Sequence, residues 1–161
     1  MHTSQLKDTD RAYLAGMFDG EGCANATFKS KKVFSKKKQK EIRYFWPTVQ
    51  FVIAGAHTHL QSIREIVGLG GVYEATVGKG WALRTTQPKK VLIMIDAILP
   101  YVKLKKKQLL ILKEAALFIS QHKKRSRWRD EEKKEFHKRF VLPLKKEGKL
   151  GRPTEYDKPF I

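Results

Sequence analysis

The sequence predicts a mixed α+β domain ordered as helix, strand, strand, helix, strand, strand, helix. Two observations predict it. Apolar residues recur at helical spacing in three segments, and between these lie two pairs of segments whose apolar and polar residues alternate with a period of two. A third observation sets the scale: 161 residues are one domain's worth and enough to bury a substantial core.

The first helix spans Thr9–Gly22. Asp8, Thr9 or Asp10 can cap its open N–H groups, and Leu14 and Phe18, four apart, form an apolar ridge. Tyr13, Gly16, Met17 and Gly20 fall on the adjoining face. Each glycine costs roughly 1 kcal/mol inside a helix, so two of them four apart predict a surface that another backbone approaches closely. Gly20 and Gly22 end the helix, with Asp19 and Glu21 at its C-terminus. Negative charge is unfavourable at that end of a helix dipole and favours a cation there; hard oxygen ligands near phosphate favour magnesium.

A strand follows over residues 23–34, with Ala24, Ala26 and Phe28 on one face and Asn25, Thr27, Lys29 and Lys31 on the other. Glu21 shares the parity of the polar set, although a merely solvated strand face has the same pattern. Ser35–Lys40 is a lysine-rich connection. The second strand, Ile42–Ala54, alternates Trp46, Thr48, Gln50 and Val52 with Pro47, Val49, Phe51 and Ile53, and Pro47 predicts a bulge or bend. His57–Val67 is a short helix with Leu60, Ile63, Ile66 and Val67 at helical spacing, stopped by Gly68-Leu69-Gly70-Gly71. Val72–Val77 and Trp81–Thr86 form a hairpin around Gly78-Lys79-Gly80, with Glu74, Thr76, Arg84 and Thr86 as candidates to extend the polar face. Pro88 opens a third helix through Val91, Leu92, Ile95, Ile98 and Leu99, and Pro100 closes it. Lys106–Ser120 and Asp130–Leu142 are further helices, the latter with acids in its first turn and Phe136, Phe140 and Val141 as docking residues. The domain is thus expected to occupy residues 1–142, with a basic, Gly/Pro-containing extended tail over 143–161.

Leu14-Ala15-Gly16-Met17-Phe18-Asp19-Gly20-Glu21-Gly22 resembles the signature of the LAGLIDADG homing endonucleases. Leu14, Ala15, Gly16, Asp19 and Gly22 match letter for letter, Glu21 stands for the second acid, and Met17 and Phe18 keep the apolar pair. The element order of the first hundred residues is also that of the family. The resemblance implies the αββαββα LAGLIDADG fold: a four-stranded antiparallel saddle sheet with helices on one face, plus C-terminal helices. It implies that the motif helix is a subunit interface, carried by Tyr13, Gly16, Met17 and Gly20. It further implies that Glu21 and the carbonyl of Gly20 bind the metal used to cut DNA. That metal is Mg²⁺, with Mn²⁺ expected to substitute and Ca²⁺ to bind without supporting cleavage. A family lysine in a similar segment after the third helix approaches the cleavage site. In Tyr101-Val102-Lys103-Leu104-Lys105-Lys106-Lys107-Gln108 the better match is Lys105, with Lys103 the alternative, its task electrostatic.

Family members with one motif copy form homodimers, so a single copy without internal repeat makes the resemblance imply a homodimer and a pseudo-palindromic double-stranded target. The expected reaction is a double-strand break that leaves short 3′ overhangs and promotes movement of an intron or intein. The open sheet face is expected to lie in the major groove. Its DNA contacts would come from Asn25, Thr27, Lys29, Lys31, Trp46, Thr48, Gln50, Glu74, Thr76, Lys79, Arg84 and Lys103. Arg125 and Arg127, in the densest basic segment, would hold the phosphate backbone. Asp19 is assigned to structure or an outer shell. Family members often carry Gln or Lys after the second strand, close to the catalytic water. Here Ala54-Gly55-Ala56-His57 stands there, leaving His57 and Gln50 as candidates to substitute.

A formal charge of +18 and a pI near 10.1 point independently to a polyanionic partner, nucleic acid first and an anionic membrane surface second. No apolar run is long enough to span a bilayer and the N-terminus is not that of a signal peptide, so an intracellular protein is expected, with no membrane partner and no small-molecule substrate. The single cysteine, Cys23, cannot form an internal disulfide, and the five histidines lack zinc-ligand spacing. Two rivals remain: a non-cleaving binder on the same scaffold, either an intron maturase or a transcriptional regulator, and a basic ribosome-associated protein.

Overall fold

The computed structural model describes residues 6–75, 80–122 and 128–148. In chain order the elements are α1 (Asp8–Glu21), β1 (Gly22–Ser35), β2 (Lys40–Gly55), α2 (His57–Val67), β3 (Gly71–Glu74), β4 (Trp81–Thr85), α3 (Pro88–Ile98), α4 (Lys106–Ser120), α5 (Asp130–Phe136), a π-helical turn (His137–Val141) and α6 (Leu142–Glu147). The strands form one antiparallel sheet in the order β1-β2-β4-β3.

Side-chain alternation along β1 and β2 decides which face is covered. Ala24, Ala26 and Phe28 of β1 and Val49, Phe51 and Ile53 of β2 are buried together with Leu83 of β4. Onto this face pack Leu14, Ala15 and Phe18 of α1, Leu60, Ile63 and Val67 of α2, Val91, Met94, Ile95 and Ile98 of α3, and Leu109, Leu112 and Ala116 of α4. Phe18 stacks on Phe51 with ring centroids 4.9 Å apart and an interplanar angle of 16°, which fixes α1 against the part of β2 that is paired on both sides. Ile66, although at helical spacing with the others, points out to solvent. The other sheet face carries no helix from these elements.

Several local expectations are corrected. The N-cap of α1 is Lys7, with no side-chain cap; Asp8 and Asp10 lie in the first turn instead, where the helix dipole favours acids. The helix ends at Glu21, and Gly22 is already the extended first residue of β1. A Cβ at position 22 would stand 2.3 Å from Phe18 Cδ2 and 2.4 Å from the Phe18 carbonyl oxygen, so only glycine lets the chain turn there directly into the sheet. Pro47 causes no bulge: the β1–β2 register runs unbroken through Phe28↔Pro47. β4 pairs with β2 only over Phe51–Gly55, so at Pro47 β2 has a single neighbour and can lack one N–H. β3 is shorter than expected, stopping at Glu74, and the turn at Gly78-Lys79 lies outside the described residues.

The C-terminal part departs furthest. Pro143 does not end the helix; the chain stays helical to Glu147, with the π-turn immediately before it. Widening the helix by one residue per turn accommodates the proline ring and its missing N–H. Leu144 is thereby buried, so the tail expected to be extended from residue 143 is helical to Glu147, and positions 149–161 lie outside the described residues. Trp128 is buried too, stacked on His122 (3.8 Å, 20°) and edge-on to Phe136 (6.1 Å). Among the described residues no helix is long and apolar enough to cross a membrane.

Because Phe18 joins α1 to the sheet centre, Phe18→Ala should cost about 4 kcal/mol. Chemical denaturation will show this as a lower midpoint with an unchanged slope.

Candidate active site and nucleic-acid interface

The foot of α1 is tied to the segment between α3 and α4 by one carboxylate. Asp19 accepts backbone N–H bonds from Lys103 (2.8 Å), Leu104 (3.2 Å) and Lys105 (2.9 Å). Partial burial by itself would raise its pKa, but the three donors and the nearby Lys105 charge outweigh that and hold the carboxyl below the ordinary aspartate range. With its backbone so fixed, Lys105 sends its Nζ back to the end of α1. There the ammonium donates to the carbonyls of Gly22 (2.8 Å) and Gly20 (3.2 Å), the residues on either side of Glu21. Glu21 itself is exposed. A cation at a helix C-terminus, against open carbonyls, is in a favourable field.

From this foot the open sheet face leads outward. Antiparallel partners share a face, and the register sets Cys23 opposite Val52, Asn25 opposite Gln50, Thr27 opposite Thr48, Lys29 opposite Trp46 and Lys31 opposite Tyr44. Val52 in turn faces Arg84, so Arg84 joins the same surface from β4, with its Nε buried and without a hydrogen-bond partner. Six of the residues expected on a DNA-binding face (Asn25, Thr27, Lys29, Trp46, Gln50 and Arg84) are thus brought onto one surface, with Lys31 at its outer end.

Comparison with solved structures places this architecture. An archaeal intron-encoded homing endonuclease complexed with DNA, I-Vdi141I, superposes with a TM-score of 0.66 at 18% identity, over 95% of this chain and 93% of that one. The homing endonuclease I-CvuI, in complex with its target in the presence of 2 mM Ca, gives 0.64 at 19% identity, over 92% and 85%. The LAGLIDADG meganuclease I-AabMI bound to uncleaved DNA gives 0.61 at 19% identity, over 93% of this chain but 48% of that longer one. No family model and no curated protein matches the sequence. This is the LAGLIDADG fold.

On the LAGLIDADG helix α1, Tyr13 is 48% exposed, Gly16 and Gly20 are exposed, and a Cβ on either glycine would meet nothing within 4 Å. Met17 is half-buried, near Gly55. Among the described residues nothing covers the two glycines, while Met17 packs against the core and the Tyr13 hydroxyl reaches His59 of α2.

Other expected residues fall elsewhere. Glu74 pairs with Trp81, which faces Gly55 and rests on His57 of α2 (4.2 Å), so Glu74 lies on the helix-side parity and does not extend the polar face. The β3 position on that face is Tyr73, 57% exposed, which the sequence reading passed over because it started the alternation one residue out of phase. Thr48 has the right parity but is only 8% exposed, set between the larger Trp46 and Gln50. His57 is turned against Trp81, and Gln50 pairs with Asn25 on the open face. The open-face positions nearest Glu21 are Cys23, Val52 and Ala54, none of them a base. Burial raises the Cys23 thiol pKa more than nearby Lys105 lowers it, which keeps the thiol protonated. Lys103 is exposed and contributes its backbone N–H to Asp19. Thr76, Lys79, Arg125 and Arg127 lie outside the described residues.

The Asp19 clamp gives a signed expectation. A carboxyl whose folded pKa is depressed adds stability above the ordinary aspartate range, and that contribution is lost as pH falls through the folded value. Asp19→Asn should therefore cost about 1–2 kcal/mol at neutral pH, the bonds being partly solvent-screened. It should also flatten the acid limb of a stability-against-pH curve measured by denaturant titration.

Proposed function

We propose that the chain is a site-specific, metal-dependent DNA endonuclease that acts as a homodimer and makes a double-strand break. One observation carries the reading. Lys105 is anchored to the carbonyls flanking Glu21, so an acid and a cation stand together where the polar sheet face begins. An acid for a metal and a fixed positive charge beside the scissile phosphate are what phosphodiester hydrolysis needs from a protein.

The donor set fits a hard divalent cation. Among the described residues there is no group of three His, Cys, Asp or Glu side chains able to hold a metal on their own. Magnesium, however, needs only one or two carboxylates, with water and substrate phosphate oxygens completing its shell. Glu21 supplies a carboxylate, and the Gly20 carbonyl, which already accepts one bond from Lys105, has a second lone pair. When bound, Mg²⁺ supplies Lewis-acid stabilisation of the attacked phosphate and acidifies its water. Mn²⁺ should substitute, and Ca²⁺ should bind without cleavage. Glu21 holds and orients; Lys105 donates to a phosphate oxygen and offsets its developing charge; Asp19 keeps Lys105 in reach.

The open face of α1 supports the homodimer. Two such helices crossing at Gly16 and Gly20 can approach closely, bringing both Glu21 side chains under one duplex. A single copy of the fold that aligns with half of the longer I-AabMI chain is what such a protomer would match. The bound DNA in the I-Vdi141I and I-CvuI structures supports duplex DNA as the partner here.

The apolar set Cys23, Val52 and Ala54 around Glu21 favours a second reading, a DNA binder that does not cut. Supercoiled plasmid bearing sites selected from a randomised library, incubated with Mg²⁺, decides between them. The endonuclease reading expects linear product from the wild type and none from Glu21→Gln, with DNA affinity kept by both. No linear product under any divalent cation would leave only the binder. In addition, a Cβ on Gly16 meets nothing within 4 Å inside the protomer, so Gly16→Leu should stay folded by circular dichroism while sedimentation shows a monomer and cleavage falls at least a hundredfold.

A further inference from the structure

The open face of the β1–β2 ribbon is chemically divided along its length. Near α1 it carries the cross-strand pairs Asn25–Gln50 and Thr27–Thr48, with Arg84 beside them. Further out, the β2 side becomes a continuous apolar ridge on the same face: Trp46, Tyr44 and Ile42, the last opposite Val33. Tyr44 is 44% and Val33 41% exposed, so this ridge is not part of the core. Sheet pairing does not explain it either, because β4 stops at Phe51 and the outer ribbon has two strands only. Polar residues would satisfy a solvated ribbon better than a tryptophan, a tyrosine, an isoleucine and a valine on one face.

Charge identifies what covers the ridge. Eight basic residues and one acid lie between Lys29 and Arg43, and Lys29 and Lys31 stand directly opposite Trp46 and Tyr44. An apolar strip lined by lysines suits a surface that is anionic at its edges and apolar within, and a protein partner of ordinary composition offers no such pattern. The major groove of DNA does so where thymines occur: phosphates line both sides and C5-methyl groups project from the floor. Asparagine, glutamine and arginine, which dominate the inner part, instead match the hydrogen-bonding edges of purines.

We propose that the outer half of each DNA-binding arm reads the C5-methyl groups of thymine through Trp46, Tyr44 and Ile42, while the inner half reads hydrogen-bonding base edges. The proposal rests on the endonuclease reading above and adds a specificity rule to it. Strand geometry sets the scale: eight residues separate Glu21 from Lys29 and ten separate it from Lys31. With Val33, opposite Ile42, twelve residues from Glu21, about 3.3 Å per residue and about 3.4 Å per base pair put the methyl-reading zone roughly eight to twelve base pairs from the point of cutting. A 5-methylcytosine at those positions presents the same methyl group and should be accepted in place of thymine where no other contact opposes it.

The test uses the full-length protein and duplexes carrying its library-selected site, with affinity measured in Ca²⁺. Thymines are replaced by deoxyuridine, which lacks only the methyl, at the outer positions in one series and at positions two to five base pairs from the centre in another. Selected sites should be enriched in thymine at the outer positions. Each outer replacement should weaken binding about fourfold, the value of one buried methyl, and each inner replacement should change it less than twofold. Tyr44→Ser with Trp46→Ser, which leaves no methyl or ring at either place, should bind thymine and deoxyuridine duplexes alike at the base pairs those two positions face, Ile42 being left to act at its own. Equal affinity of the wild type for both outer bases, discrimination confined to the inner positions, or discrimination surviving at those base pairs in the double variant would overturn the inference while leaving the endonuclease reading intact. Failure to bind any duplex would overturn both.

Discussion

At the foot of α1 the chain sets a lysine among carbonyl oxygens, and the contact that makes this possible is the Asp19 carboxylate accepting three consecutive backbone N–H groups from residues 103–105. Those residues follow α3, more than eighty positions along the chain. Their N–H groups precede α4, so no helix supplies them with partners, and a carboxylate satisfies all three at once. The same bonds leave Lys105 one geometry in which its ammonium lies 6.0 Å from the Phe18 ring centroid and reaches the carbonyls of Gly20 and Gly22. Remove the carboxylate, and both the entry to α4 and the electrostatics around Glu21 lose their reference point. Asp19 therefore fixes the backbone that carries Lys105, and Glu21, two places on, is left exposed.

The sheet's two faces solve opposite problems with one repeat. Small side chains on the covered face, Ala24 and Ala26, let the helices lie close, while Phe28, Phe51 and Phe18 fill the space between them. Because β4 covers only the inner third of β2, the outer hairpin projects as a two-stranded ribbon. A ribbon of that kind fits a groove that a four-stranded sheet could not enter. Shortening one pair of strands thus frees the outer hairpin from the domain core without a separate domain. The same arrangement puts Arg84 at the boundary between the two regimes, within the sheet but on its open side.

Trp128 and Glu132 anchor the start of α5. Trp128 is not a stacking platform for bases; it is buried against His122, Phe118 and Phe136 and pins the end of the basic segment before α5 to the helical layer. Glu132 then takes the Arg129 backbone N–H at 2.8 Å, which closes the first turn of α5.

How much of this was legible beforehand differs between residues for a physical reason. The sequence by itself determined the helices and strands, α2 and α4 to the residue, and the polar face of β1, because periods of 3.6 and 2 are local properties of consecutive side chains. The motif Leu14 to Gly22 likewise carried the fold, since Gly22 can be nothing else where Phe18 sits. What only the tertiary structure decided depends on pairing across distance. The phase of β3 against β4 put Tyr73 rather than Glu74 on the open face; the helix continued through Pro143 because Leu144 has a core to enter; and Lys105 found its carbonyls because Asp19 held its backbone. Register and docking are relations between segments far apart in the chain, and no window of neighbouring residues contains them.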